Sequence, residues 1–138
     1  MSQEAKTRVI VADSDPRVRS ALRILLLEEP GLALVGETSD LPGLVTQVRQ
    51  LKPDLVLLDW ELPGRPAAAM LLAQTTLDYK PKVIVFSARP ESKEVALAAG
   101  ADAFVSKGDP PEVLLSAFRQ LTQGSGEKVN DQVQETGD

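Results

Sequence analysis

Five short apolar runs are the feature that most constrains how this chain of 138 residues folds. They are rich in Val, Ile and Leu, barely alternate with polar residues, and cover residues 9–12, 32–35, 55–58, 83–86 and 103–105. Strands covered on both faces have this pattern, because helices shield a parallel sheet from water on either side. Segments with helical spacing of apolar residues lie between the runs. The order is strand then helix, five times, which predicts a three-layer α/β domain.

Capping residues mark the ends of the predicted helices. Asp15-Pro16 and Asp109-Pro110 each offer an N-cap carboxylate followed by a proline, whose fixed φ suits a first helical turn. Three more helices are expected between the helices that these two pairs begin. They cover Leu44 to Leu51, which has an apolar stripe, Pro66 to about Asp78, and Glu91 to Ala99, which Gly100 ends. The folded domain is expected to cover residues 7–123. Residues 124–138 lack apolar periodicity and are expected to be a disordered tail or the stub of a linker.

The composition limits the chemistry that the chain can perform. It contains neither cysteine nor histidine, which removes thiolate chemistry and the commonest general base and zinc ligand. Any chemistry must therefore use carboxylates, hydroxyls and lysines. The net charge of -5 argues against direct nucleic-acid binding. With no apolar run of the ~18 residues that a membrane span needs, and no signal peptide, we expect a cytoplasmic protein without a membrane anchor.

Polar residues follow four of the five predicted strands at the point where each strand ends. The first strand ends at Asp13-Ser14-Asp15, and the later ends carry Asp59, Ser87 and Lys107. The carboxyl ends of parallel strands meet at one edge of the sheet, and ligands bind outside that edge. Acids, a hydroxyl and an amine are therefore expected to converge there.

The segments around these residues resemble the receiver domain of two-component response regulators. The resemblance covers about Arg8 to Leu121 and rests on VIVADSDPRVR, KPDLVLLDWELPG, VIVFSA and GADAFVSKGDPPE, in the family's order. It implies a CheY-like domain with the flavodoxin-like strand order 2-1-3-4-5 and five helices. It also implies a protein that signals by changing shape and is not an enzyme.

The resemblance assigns roles to particular residues. Asp59 would be the phosphoacceptor, Ser87 the switch hydroxyl, Lys107 the phosphate-facing amine and Phe104 the aromatic switch, although one aromatic on a strand is also an ordinary core residue. Mg²⁺ would be held by Asp13, Asp59 and the backbone carbonyl of Glu61, with Ser14 as a weak contributor. A hard cation with oxygen ligands suits these residues, because a carboxylate is a poor nucleophile until a cation screens its charge from the phosphoryl oxygens.

Two features depart from the family's pattern. Ser14 stands where the family usually has a second acidic residue, and Asp15 is expected to cap a helix, so the site would hold two carboxylates and bind magnesium more weakly. The 20 residues from Ser87 to Lys107 are also about two fewer than the family usually has. The shortening falls in a region that receivers use to engage partners, and two interpretations stay open: an altered partner-binding face, or a shorter loop without functional effect.

The resemblance implies a sensor histidine kinase, or another phosphohistidine protein, as phosphodonor. It implies an unknown downstream protein at the face of the fourth helix, fifth strand and fifth helix, which could also form a homodimer. Two alternatives remain open. Ser14 motivates a degenerate receiver that binds partners without phosphorylation, and Asp13-Ser14-Asp15 fits the D-x-D motif of haloacid dehalogenase-like phosphatases, with Asp13 as nucleophile and Asp15 as acid/base. Arg17 and the lack of room for a cap domain oppose the phosphatase.

Overall fold

The structure is a computed structural model and describes residues 5–63 and 80–122. One sheet contains the strands β1 (Thr7–Ala12), β2 (Leu32–Thr38), β3 (Leu55–Asp59), β4 (Lys82–Ser87) and β5 (Ala103–Ser106). All paired strands are parallel, and their order is β2-β1-β3-β4-β5. Each predicted apolar run lies within one of these strands. The predicted fold class and strand order are therefore confirmed.

Four helices lie in the described residues: α1 (Pro16–Leu27), α2 (Leu41–Leu51), α3 (Lys93–Ala98) and α4 (111–122). The helix expected from Pro66 to about Asp78 lies outside those residues, as does the predicted tail, so α3 and α4 are the predicted fourth and fifth helices. A 3-10 turn at Pro90–Ser92 precedes the short α3, and Gly100 follows it with a φ of 118°. None of the helices described is long and apolar enough to cross a bilayer.

The two predicted aspartate caps have different outcomes. Asp15 is the N-cap of α1, and its carboxylate accepts a hydrogen bond from Arg17 N, as predicted. Asp109 was expected to cap the last helix in the same way, and this is wrong. Its carboxylate accepts from Ser106 N at 3.2 Å and closes the turn after β5, while the helix begins at residue 111. Pro111 has no N–H at the position equivalent to Arg17, whose N–H caps α1 through Asp15, so Asp109 lacks the donor that Asp15 uses.

The core lies on both faces of the sheet because successive strand residues point to opposite sides. On one face, Ile10 and Leu58 pack in a buried cluster with α2 and with Ala96 of α3. On the other face, Val11 and Leu57 pack with α1 and with Phe118 of α4. All five residues of β3 are buried, as expected for the central strand of a sheet covered on both sides. The carboxyl end of this strand places Asp59 at the middle of the sheet edge.

Candidate functional site

Three polar side chains are buried where strands end at the carboxyl edge of the sheet. Asp13, Asp59 and Ser87 are 1%, 3% and 0% exposed, respectively. They follow or end β1, β3 and β4, which are neighbours in the sheet. Burying a charged group is costly unless it is paired, so two buried carboxylates at one edge require a cation nearby.

Lys107 supplies a cation at this edge. Its Nζ lies 2.7 Å from Asp13 Oδ2 and 3.5 Å from Asp59 Oδ1, and its side chain is only 21% exposed. The ammonium also lies 5.6 Å from the centre of the Phe86 ring, within the range of a cation–π contact. Lys107 N donates to Ser87 O at 2.7 Å, which fixes the residue beside the end of β4. The structure therefore brings together four of the six residues that the sequence placed at strand ends, namely Asp13, Asp59, Ser87 and Lys107.

The surroundings make Asp59 reluctant to ionise. Burial is the largest cause and raises its pKa, and the charges of Asp13 and Glu61 act in the same direction. The hydrogen bond from Glu61 N and the charge of Lys107 oppose this effect without cancelling it. For Lys107, burial lowers the pKa, but the contacts with Asp13 and Asp59 outweigh it, so its pKa is raised. The lysine is therefore charged at neutral pH.

We expect Asp59→Asn to stabilise the unmodified fold near neutral pH. Because the folded-state pKa of Asp59 is raised, the protonated form favours folding at low pH, and this stability is lost as the pH rises from the ordinary value of 3.8 through the folded-state pKa. Thermal unfolding in a chelating buffer should show a higher midpoint for the variant near neutral pH, and the difference should shrink below about pH 4. A wild-type protein more stable than the variant at neutral pH would contradict the raised pKa.

The loop after β1 fixes Asp13 through its carbonyl and one carboxylate oxygen, while the other carboxylate oxygen pairs with Lys107. Asp13 Oδ1 accepts from Asp15 N at 2.9 Å, and its carbonyl oxygen accepts from Arg19 Nη1 at 2.7 Å. Asp15 itself turns toward α1, where the hydrogen bond from Arg17 N lowers the pKa of its carboxyl. This orientation leaves the phosphatase alternative without its acid/base. Ser14 lies exposed between the two aspartates.

The site offers buried oxygen atoms that suit a hard cation, but few acidic side chains. Asp13 Oδ2 is buried, and its partner within the described residues is the Lys107 ammonium at 2.7 Å. A buried oxygen of this kind is a suitable ligand for magnesium, together with Asp59 and the carbonyl of Glu61. Yet within residues 5–63 and 80–122 no three acidic side chains converge on one point. The two carboxylates beside Lys107 are those of Asp13 and Asp59, and the weaker magnesium binding expected from Ser14 stays a prediction.

We expect Ser14→Asp to tighten magnesium binding by roughly tenfold, because an added carboxylate raises the ligand charge. Trp60 is the only tryptophan and adjoins Asp59, so a fluorescence titration with magnesium measures this affinity. The control is Ser20→Asp, which adds the same charge at an exposed position of α1. An unchanged titration curve for Ser14→Asp would contradict the role given to position 14.

The side chain of Glu61 is a member of the site that the sequence interpretation missed, since only its carbonyl was considered. Ser87 Oγ donates to Glu61 Oε2 at 2.7 Å, and Ala88 N donates to Oε1 at 3.4 Å. Ser87 Oγ in turn accepts from Arg89 N at 2.9 Å. The sequence did contain one clue to this role, because Glu61 is an acid two positions after Asp59, at the same sheet edge as Ser87. The Ser87 hydroxyl is thus already bonded to a carboxylate.

Phe104 lies away from this cluster of polar groups. It is partly buried on β5 and packs against the core cluster that includes Ala96 of α3. The next residue, Val105, faces the opposite side of the sheet and belongs to the other cluster. Packing under α3 is compatible with both a core role and a switch role for Phe104, and the switch role stays a prediction.

A five-stranded parallel sheet of order 2-1-3-4-5, with acids, a hydroxyl and a lysine at its carboxyl edge, defines the CheY-like class of α/β domain. The family model of the response regulator receiver domain matches residues 9–119. The chain therefore belongs to the response regulator receiver family of two-component systems.

The relatives include response regulators and protein-glutamate methylesterases. The chain is 30% identical to the nitrate/nitrite response regulator protein NarL of Escherichia coli over 126 residues, which are 90% of this chain and 58% of NarL. It is 35% identical over 104 residues to protein-glutamate methylesterase/protein-glutamine glutaminase 1 of Methanospirillum hungatei, covering 72% of this chain and 30% of that protein. The chain thus spans less than two thirds of these relatives.

Solved structures show the same fold. A LuxR-family two-component response regulator from Aurantimonas has a TM-score of 0.79 and 28% identity, covering 87% of both chains. The response regulator domain of Thermotoga maritima CheB has a TM-score of 0.72 and 27% identity, covering 83% of this chain and 95% of that domain.

Proposed function

We propose that this domain accepts a phosphoryl group on Asp59 from a sensor histidine kinase, or another phosphohistidine protein, and then changes its partner-binding face. The observation that carries the proposal is the placement of Asp59. Its buried carboxylate lies 3.5 Å from the Lys107 ammonium, beside a second buried acid, Asp13, and beside the end of β4 where Ser87 stands. Such an arrangement can receive and stabilise an anionic group.

The transfer uses residues at the ends of four strands, β1, β3, β4 and β5. A carboxylate oxygen of Asp59 would form a bond to phosphorus as the phosphorus–nitrogen bond of the donor histidine breaks, and the electron pair stays on the histidine. Lys107 neutralises charge on the phosphoryl oxygens, and Ser87 Oγ can donate to one of them. Magnesium, held by Asp13, Asp59 and the Glu61 carbonyl, would screen the nucleophile from those oxygens when bound.

The added charge provides the signal. A phosphoryl group adds nearly two negative charges, and Ser87 and Lys107 are the groups able to close on it. Because Lys107 N is bonded to Ser87 O, movement of either residue is passed to the ends of β4 and β5. The face formed by α3, β5 and α4 carries exposed apolar side chains, including Val95 at 61% and Val113 at 40%. These side chains suit a downstream protein or a second copy of the domain.

A phosphorylation-independent binding module is the second candidate. The observation that favours it is the pair of carboxylates where a stronger magnesium site needs three, as judged within the described residues. For both candidates we propose that the domain covers residues 7–123 and that residues 124–138 are a tail or linker. We also propose that the protein works in the cytoplasm and that this domain does not contact nucleic acid. The activity of any longer protein containing it depends on the part that this chain does not cover.

The two candidates differ in their response to a small phosphodonor. We expect Trp60 fluorescence to change on adding magnesium and again on adding acetyl phosphate, and intact mass spectrometry to detect one phosphoryl group. Neither a fluorescence change nor added mass would leave the binding module as the better description.

A further inference from the structure

The Glu61 carboxylate accepts from the Ser87 hydroxyl, which the proposed function assigns to a phosphoryl group on Asp59, and from the neighbouring Ala88 N. Ser87 Oγ donates to Oε2 at 2.7 Å, and Ala88 N faces Oε1 at 3.4 Å. One carboxylate thus spans a side-chain donor and the adjacent backbone donor. Both a carboxylate and a phosphoryl group are anionic and present several acceptor oxygens, so the two compete for the same hydrogen bonds.

The backbone explains why Glu61 reaches this position. Glu61 N donates to Asp59 Oδ1 at 2.9 Å, and Leu62 N donates to Asp59 O at 3.1 Å, which forms a turn directly after β3. The turn directs the Glu61 side chain across the sheet edge toward the end of β4. A further donor of the site, Lys107 Nζ, lies against Asp13. Ser87 Oγ, Ala88 N and Lys107 Nζ are therefore each turned toward a carboxylate of the unmodified chain.

We propose that the Glu61 carboxylate is an internal competitor, which holds Ser87 and Ala88 in the unmodified domain and must leave when a phosphoryl group arrives on Asp59. This inference rests on the proposed function. Ser87 is fully buried whereas Glu61 is exposed, so Glu61 can swing into water while the hydroxyl stays at the site. Repulsion between the displaced carboxylate and the phosphoryl oxygens adds to the cost of phosphorylation.

Beryllofluoride, a phosphomimetic, tests the competition without a kinase. We expect Glu61→Ala to bind beryllofluoride roughly tenfold more tightly than wild type in the presence of magnesium, because one charge-assisted hydrogen bond no longer has to be broken. A titration followed by Trp60 fluorescence measures this affinity. Glu61→Asp keeps the charge but is one methylene shorter and should also bind more tightly. Glu91→Gln, which removes an exposed charge in the 3-10 turn, is the control and should match wild type.

A second measurement follows the contact itself. In the absence of beryllofluoride, the amide resonance of Ala88 should shift in Glu61→Ala relative to wild type and stay in place in Glu91→Gln. Equal beryllofluoride affinity in wild type and Glu61→Ala, or Glu61→Asp behaving as wild type, would overturn the competitor role. Failure of both wild type and Glu61→Ala to bind beryllofluoride would instead overturn the proposed function, and the competitor role with it.

Discussion

Asp59→Asn is expected to gain no phosphoryl group from acetyl phosphate and magnesium under conditions where the wild-type domain gains one. Asparagine has nearly the shape of aspartate but lacks the anionic oxygen that attacks phosphorus. Because the variant keeps a buried amide in place of a carboxylate beside Lys107, loss of labelling would not reflect loss of the fold. Intact mass, with circular dichroism as a check on folding, measures the result.

Asp15→Asn is the matched control for this experiment. Asparagine caps helices about as well as aspartate, so α1 should keep its first turn and labelling should be retained. Labelling of Asp59→Asn to the wild-type extent would place the acceptor elsewhere and reject the proposal. Hydrolysis of a generic phosphate ester that is lost in Asp13→Asn but kept in Asp59→Asn would favour the phosphatase.

Lys107→Met is expected to destabilise the domain by about 2 to 3 kcal/mol near neutral pH in a chelating buffer. Methionine keeps much of the length of the side chain but removes the ammonium that pairs with Asp13 and Asp59. Two nearly buried carboxylates would then face each other without this cation. The expected loss of unfolding free energy is smaller than for removal of one partner of a fully buried ion pair, because the Lys107 side chain is 21% exposed.

Urea denaturation measures this loss, and two further conditions test its cause. Lowering the pH should reduce the difference from wild type, because protonation relieves the repulsion between the carboxylates. Magnesium should also restore part of the stability if Asp13 and Asp59 hold it. The control is Lys93→Met, at the start of α3, which should be close to wild type. A Lys107→Met protein as stable as wild type would show that the ion pair contributes little.

The sequence and structure agree best where a property depends on neighbouring residues alone. The cap at Asp15 and the break at Gly100 follow from local backbone chemistry, and both were predicted. Asp109 shows the limit of that reasoning. The same Asp-Pro pair occurs there, but a second proline removes the N–H two residues on, the one that Asp15 uses, and the carboxylate accepts from Ser106 instead. The residue that prevents this cap, Pro111, is a near neighbour in the sequence, but the prediction considered only Asp109 and Pro110.

The five strands, their burial on both faces and the polar residues at their carboxyl ends could all be predicted from the sequence, because they depend on the spacing of apolar and polar residues along the chain. The pairing of side chains across the carboxyl edge of the sheet could not be predicted from the sequence. It is defined only in the folded domain. Lys107 lies closer to Asp13 than to Asp59, and Glu61 is joined to Ser87, 26 residues further along the chain. Those partners are fixed by strand order and register, which bring distant residues within hydrogen-bonding distance.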